Sequence, residues 1–323
     1  MISSRVGGIV VFLSTLMATG TVIASPTTLN QEPPGLVLQP AVDWITLWPI
    51  PVAIVAIIIF FCLPDTWLRR PRLKQWRWSP NMGLILFAIA LLSGLMGSAI
   101  ALALLGPSAS EINELDIRSM LFLMLGNYVG EVVIILLVPG LVLGLIKARK
   151  DPVDSEQVPV TWWQALLSGI GGLVISWPVV ISVGALVGML ITVMTGVTLP
   201  DISHGTLNQL NQAAATPDGW FISIIILIVV VTPIIEEVLY RGLLQESIRR
   251  HPLLSNESPW FAIIITSILF ALMHGAIVDL RGVFALFVLS LGFGWVYLKT
   301  GRLLACIVMH AGFNALNLLQ VLV

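Results

Sequence analysis

Apolar residues run through this chain in long stretches, and the polar residues between them gather into short segments rich in arginine, lysine and proline. Stretches of 18 or more apolar residues recur, which is the pattern of helices that cross a bilayer. The pattern predicts eight such spans, at 44–63, 81–106, 119–146, 164–199, 220–248, 260–275, 283–298 and 303–323. The expected fold class is therefore an all-α membrane protein, a polytopic bundle of about eight transmembrane helices after a signal-like N-terminus. Residues 1–24 carry one charge, Arg5, and then an apolar run, with Val22 and Ala24 at −3 and −1 of a cleavage point before Ser25-Pro26. The proline-rich stretch 25–43 reads as an external linker. Residues 44–199 then form an N-terminal group of transmembrane helices and residues 200–323 a second group.

Composition agrees with that pattern. Of 323 residues, 57% are hydrophobic and only 10% charged, against about a quarter charged in soluble domains. The mean hydropathy is +0.99. A formal net charge of −1, with no basic patch, points away from nucleic acid. The expected partners are the lipid bilayer and membrane-embedded or lipidated peptides. Cys62 and Cys306 both lie inside apolar runs, with no C-x-x-C and no disulfide framework.

Charge placement predicts orientation. Arg69, Arg70, Arg72, Lys74 and Arg77 follow the first span; Lys147, Arg149 and Lys150 follow the third; Arg249 and Arg250 follow the fifth; Lys299 and Arg302 follow the seventh. These loops are expected inside. The opposite loops hold Arg118 and Arg281, with Glu111, Glu114 and Asp116. The fourth span is too long to cross upright and contains Pro178, so a kink, a tilt or a surface helix from Trp162-Trp163 is expected. Gly140-x-x-x-Gly144 and Gly184-x-x-x-Gly188 suggest close helix packing. Asn256-Glu257-Ser258 fits a glycosylation sequon but falls inside.

The last four spans carry the candidate chemistry. Glu236 and Glu237 stand in the apolar run WFISIIILIVVVTPII-EE, where a charged side chain costs about 2.5–3.5 kcal/mol even on lenient insertion scales. Glu237 and Arg241 are four apart and share a helix face, while Glu236 points about 100° away. Phe270 and His274 have the same spacing, as do His310 and Asn314. The turn between spans five and six lies near Leu254–Ser255, which brings Glu236 and His274 nearly level across the hairpin. One cavity, open to the inside, then holds Glu236, His274, His310 and Asn314. A carboxylate beside a histidine in a dry pocket can hold and deprotonate a water; a second histidine with an amide can donate to an oxyanion. Alternatively Glu236, His274 and His310 are three ligands of a metal such as zinc, with an open fourth position. Arg241 neutralises Glu237 and leaves Glu236 as the reactive group, and Pro233 removes a backbone bond to Val229. Glu131, with Asn127 on its face of span three, reads either as a proton or substrate group or as a polar clasp between helices. His204 and His251 read as loop residues, and Phe270 as packing under His274.

Glu236-Glu237-x-x-x-Arg241, Phe270-x-x-x-His274 and His310-x-x-x-Asn314 together resemble the three motifs of the CPBP family of intramembrane proteases. That family includes CAAX prenyl endopeptidases of the Rce1 type and bacterial Abi, or bacteriocin-immunity, proteins. The resemblance covers about residues 220–320 and marks 200–323 as CPBP-like core helices. It implies that Glu236 and His274 activate a hydrolytic water, that His310 and Asn314 complete the site, and that Glu237 and Arg241 support it. It also implies a cavity facing the cytoplasm, in agreement with the Lys/Arg placement. Family members are described both as metalloproteases and as metal-independent glutamate proteases, so a zinc cofactor stays open. The resulting expectation is a multi-pass intramembrane endopeptidase. A non-proteolytic immunity or scaffolding protein of the same fold is the second reading. An ion-coupled transporter using Glu236, Glu131 and the histidines is the third.

Overall fold

The computed structural model describes residues 49–62, 79–105, 117–137, 160–196, 217–254 and 258–322, with parts of 210–214. The signal-like segment, the linker, Gly140, Gly144, His204 and Asn256 lie outside the described residues. Eight helices follow in order: α1 Pro49–Cys62, α2 Pro80–Leu105, α3 Ile117–Leu137, α4 Trp162–Thr195, α5 Gly219–Arg250, α6 Pro259–Met273, α7 Leu280–Thr300 and α8 Leu303–Leu322. There is no strand among the described residues.

Five of these, α2, α3, α4, α5 and α7, are long and apolar enough to cross a membrane. The chain is an all-α, multi-pass membrane protein, but among the described residues five helices, and not about eight, are long and apolar enough to cross. The reason lies in how apolar runs pass through turns. The run from Trp260 to Val278 has no charge to mark an end except His274, yet α6 stops at Met273 after 15 residues, short of the ~20 needed to span. The backbone turns there, with Ile277 N–H and Val278 N–H both donating to the His274 carbonyl. Of α8, the stretch Leu303–Leu319 is likewise shorter than the long spans, as are the 14 described residues of α1.

Sequence sets most helix ends. Thr161 caps α4 in a capping box with Gln164, and Gly196 closes it at φ 70°, a left-handed conformation that glycine adopts without a Cβ penalty. Asp218 starts α5 by accepting from Phe221 N–H at 2.9 Å. Asp279 starts α7 by accepting from Gly282 N–H, and Gly301 ends it at φ 62°. α4 runs unbroken through Pro178 for 34 residues, roughly 51 Å at 1.5 Å per residue, so length is absorbed by tilt or overhang and not by a break.

α5 is the hub. It packs against α2 and α6 along its second half, α3 along its first, and α7 and α8 around its middle. α2 and α3 form the closest pair: a Cβ on Gly97 would fall on the Gly126 carbonyl, and one on Gly130 on the Ser93 carbonyl. Backbones meet there because glycine leaves room. The Gly184 spacing does not work this way. Nothing lies within 4 Å of a Cβ placed on Gly184, while Gly188 faces the Arg281 side chain.

α5 itself is not a regular α-helix. Leu227–Val231 and Val238–Gln245 are π-helical, with Thr232–Glu237 between them. Thr232 N–H donates to the Leu227 carbonyl, five residues back. In that register the next donor would be residue 233 to the carbonyl of Ile228, and residue 233 is proline, which has no N–H. Asn314 Nδ2 on α8 donates to the Ile228 carbonyl at 2.9 Å instead. An irregular helix, lined up by a side chain from α8, thus carries the two glutamates.

Candidate active site

Glu237 is fully buried, and its Oε1 meets both a guanidinium and an imidazole. Arg241 Nη1 donates to Glu237 Oε1 at 3.1 Å, with both side chains at 0% exposure. His310 Nδ1 lies 2.9 Å from the same oxygen. Because Glu237 is held by Arg241 as a carboxylate, Nδ1–H is the donor. Arg241 continues outward: Nη2 donates to Ser290 Oγ at 2.6 Å and to the Ser290 carbonyl at 3.3 Å. Its guanidinium sits 5.0 Å from the Phe270 ring and 4.9 Å from the Phe293 ring, a cation–π sandwich in a desolvated place. The expected ion pair is therefore present, and it acts as the anchor of His310.

Glu236 faces elsewhere. His274 Nε2 lies 3.8 Å from Glu236 Oε1, and His310 Nε2 lies 3.8 Å from Glu236 Oε2. Both rings are oriented through their other nitrogen. His274 Nδ1–H donates to the Phe270 carbonyl at 2.7 Å; a carbonyl only accepts, which fixes the tautomer and leaves Nε2 with its lone pair toward Glu236. The Phe270 ring is 4.6 Å from that of His274 and is itself fully buried, so it packs under the histidine as expected. Phe293 stacks on His310 at 4.8 Å. Glu236 and His274 keep 14% and 17% side-chain exposure against 5% for His310. The open side of the cluster is the Glu236–His274 side.

Three of the candidates thus meet around Glu236, and Glu237 with Arg241 braces them. Asn314 is placed differently from the expectation. Its Nδ2 goes to Ile228, so its first task is to complete the α5 backbone, one turn below the cluster. Ser290 and Phe293 on α7 are further site residues, and no charge in that span marks them. Their signal is only visible once α7 is known to face α5. A cavity lined by Ile248, Arg249, Leu254, Ser258 and Phe261 lies at the α5–α6 turn, away from the glutamates.

Two imidazole nitrogens and a carboxylate are zinc-type donors. As they stand, however, no group of three or more His, Cys, Asp or Glu among the described residues is arranged to hold a metal ion.

α3 adds polar groups to the same region. Tyr128 Oη and Thr232 Oγ1 are 2.7 Å apart, and Glu131, one turn beyond Tyr128, is 6% exposed and hydrogen-bonded by Asn127.

In comparison with known families, residues 218–316 match the family described as Type II CAAX prenyl endopeptidase Rce1-like. Comparison with curated proteins and with solved structures gives no match. The matched stretch contains Glu236, Glu237, Arg241, His274, His310 and Asn314, whereas Glu131 and Tyr128 fall before it. The three motifs, in order on α5, α6 and α8, fall within the stretch that matches the Rce1-like type II CAAX prenyl endopeptidase family, which supports the resemblance to CPBP-family proteases.

Proposed function

We propose that the protein is an intramembrane endopeptidase that hydrolyses a peptide bond of a membrane-associated, lipidated substrate of the prenylated CaaX type, with a water activated by Glu236 and His274. The observation that carries this is the pair of histidines whose Nδ1 atoms are fixed by Phe270 and Glu237 and whose Nε2 atoms both face Glu236 at 3.8 Å. Preorganised acceptors of this kind hold a water's protons while its oxygen attacks.

Glu236 Oε1 and His274 Nε2 each accept one O–H of that water. As the water oxygen bonds to the scissile carbonyl carbon, one proton passes to Glu236 and the carbonyl π pair moves to oxygen. His310, protonated at both nitrogens when the water attacks, keeps its Nδ1–H on Glu237 and donates its Nε2–H as a hydrogen bond to the oxyanion, with the second N–H of Asn314 at the same oxygen; it neither gains nor loses a proton in the step. When the tetrahedral intermediate collapses, the C–N bond breaks and the leaving amine takes the proton from Glu236. The site faces the cytoplasm, where Lys/Arg placement puts the α5–α6 turn.

Purified protein in lipid nanodiscs should cleave a quenched farnesylated CaaX peptide, and Glu236→Gln should lower kcat by roughly 10²–10⁴-fold, the range general acid–base catalysis contributes. Unchanged cleavage in Glu236→Gln, His274→Ala and His310→Ala overturns the assignment. Cleavage that persists after exhaustive chelation supports a water held by protein groups alone; loss restored by added zinc places a metal in the step.

A further inference from the structure

Among the described residues eight buried side-chain polar atoms have no protein partner, and three of them are carboxyl oxygens: Glu237 Oε2, beside the Arg241 brace, and the pair Glu131 Oε2 on α3 and Glu236 Oε2 on α5. Both are acceptors unless protonated, so neither can satisfy the other directly. Leaving a buried carboxyl oxygen without a donor is costly enough that such atoms call for an explanation.

The packing brings the two helices into register. Near the start of α3, Arg118 and Phe122 touch Trp220, 5.1 and 6.0 Å away by ring centroid. Further along, Tyr128 meets Thr232 at 2.7 Å. Both helices advance in the same direction, so they run parallel. From the Tyr128–Thr232 contact, three residues along α3 reach Glu131 and four along α5 reach Glu236. At 1.5 Å per residue these are advances of about 4.5 and 6 Å, which leaves the carboxyls level. The two lie within electrostatic reach of each other, and Tyr240 feels both. Behind Glu131, α2 presents Gly94, where a Cβ would come within 2.8 Å of Asn127 Oδ1 and 2.9 Å of Glu131 Cγ. Asn127 holds one end of the carboxyl and the α2 backbone closes its rear, so Oε2 has only the α5 side to face.

We infer that Glu131 is a positioning residue for Glu236: one water bridges Glu131 Oε2 and Glu236 Oε2, donating one O–H to each. This rests on the proteolytic reading of Glu236. The bridge satisfies both orphan acceptors with the two donors that a water has. It holds the Glu236 carboxyl so that Oε1 stays turned to His274, and it offers the proton collected there a second acceptor before the amine leaves. The residue comes from outside the matched stretch 218–316, so the N-terminal helices contribute to the site and do not merely enclose it. A simple clasp between Asn127 and Glu131 would leave Oε2 with no purpose on the α5 side.

Glu131→Gln separates these. Glutamine has the same shape and keeps a hydrogen bond to Asn127, so a clasp survives it. In the bridge, its amide N–H donates toward Glu236 and weakens the base. On a quenched farnesylated peptide in nanodiscs, Glu131→Gln should lower kcat at least about tenfold with KM within about twofold, and Glu131→Asp should recover part of that loss. Infrared difference spectra of the full-length protein, with Glu236 assigned from Glu236→Gln, should show the Glu236 carboxyl band displaced in Glu131→Gln. Equal melting temperatures establish that the variant is folded. Wild-type kcat together with an undisplaced Glu236 band in Glu131→Gln overturns the inference. If wild type cleaves no peptide and the band still moves, the coupled pair stands and the proteolytic reading falls; if the band stays, the pair falls whatever the activity.

Discussion

Pro233 brings no N–H to the backbone, and the carbonyl left over in the π register, that of Ile228, is met by Asn314 Nδ2 at 2.9 Å. At the scale of single residues this separates two roles of one asparagine. Asn314→Ala should cost about 1–3 kcal/mol of stability, the penalty for an unsatisfied buried backbone acceptor. Pro233→Ala restores a backbone donor, so in that background the same change should cost less; a thermal-unfolding cycle over the four proteins measures the coupling. If cleavage stays low in the double variant while stability returns, Asn314 also serves the reaction through its second N–H. The two glutamates should part in the same way. Glu236 has no hydrogen bond to any protein donor at Oε2 and is partly open, so Glu236→Gln should leave melting unchanged while activity is lost. Glu237 is closed in with Arg241 and His310, so Arg241→Met should destabilise by about 3–5 kcal/mol, because it strands a buried carboxylate. Adjacent residues in the chain thus have opposite test results.

At the scale of elements, the glycine seam between α2 and α3 sets where Glu131 lies. Gly126 and Gly130 meet Gly97 and Ser93 through their backbones, and backbone cannot move aside as a flexible side chain can. Gly130→Ala should therefore lower stability by about 1–3 kcal/mol, the usual cost of overpacking, and should lower kcat further than the stability loss explains, since α3 carries Glu131. Gly184→Ala should change neither, because nothing lies within 4 Å of the added methyl. Paired melting and kinetic measurements on the two variants decide this. The small-x-x-x-small spacing was present in the sequence at several places. Which of them closed a helix pair depended on which faces met, and an apolar chain does not disclose this because lipid-facing and helix-facing positions have the same composition.

At the scale of the whole molecule, a bundle of apolar helices brings His274 and His310 around the Glu236 carboxylate. The orientation of that cluster is open to direct test. A cysteine replacing His251, at the α5–α6 turn, should react with a membrane-impermeant maleimide from the cytoplasmic face, and one replacing Ile277, at the α6–α7 turn, should not; the reverse labelling pattern inverts the topology derived from the Lys/Arg loops. The sequence by itself determined the class of fold, through uninterrupted hydropathy, and the identity of the chemical groups, because ionisable side chains in an apolar run are too costly to be incidental. Helical spacing also disclosed the Glu237–Arg241 pair and the His274–Phe270 stack, since both are local. Tertiary structure alone decided what depends on contacts between helices: that α6 ends at Met273 after 15 residues, that Asn314 completes the backbone of α5, that Ser290 and Phe293 cradle Arg241, and that Tyr128 meets Thr232 where α3 passes α5. Hydropathy cannot see these because an apolar turn, an apolar interface and an apolar lipid face are written in the same residues. Only the packing of α3, α7 and α8 on an irregular α5 tells them apart.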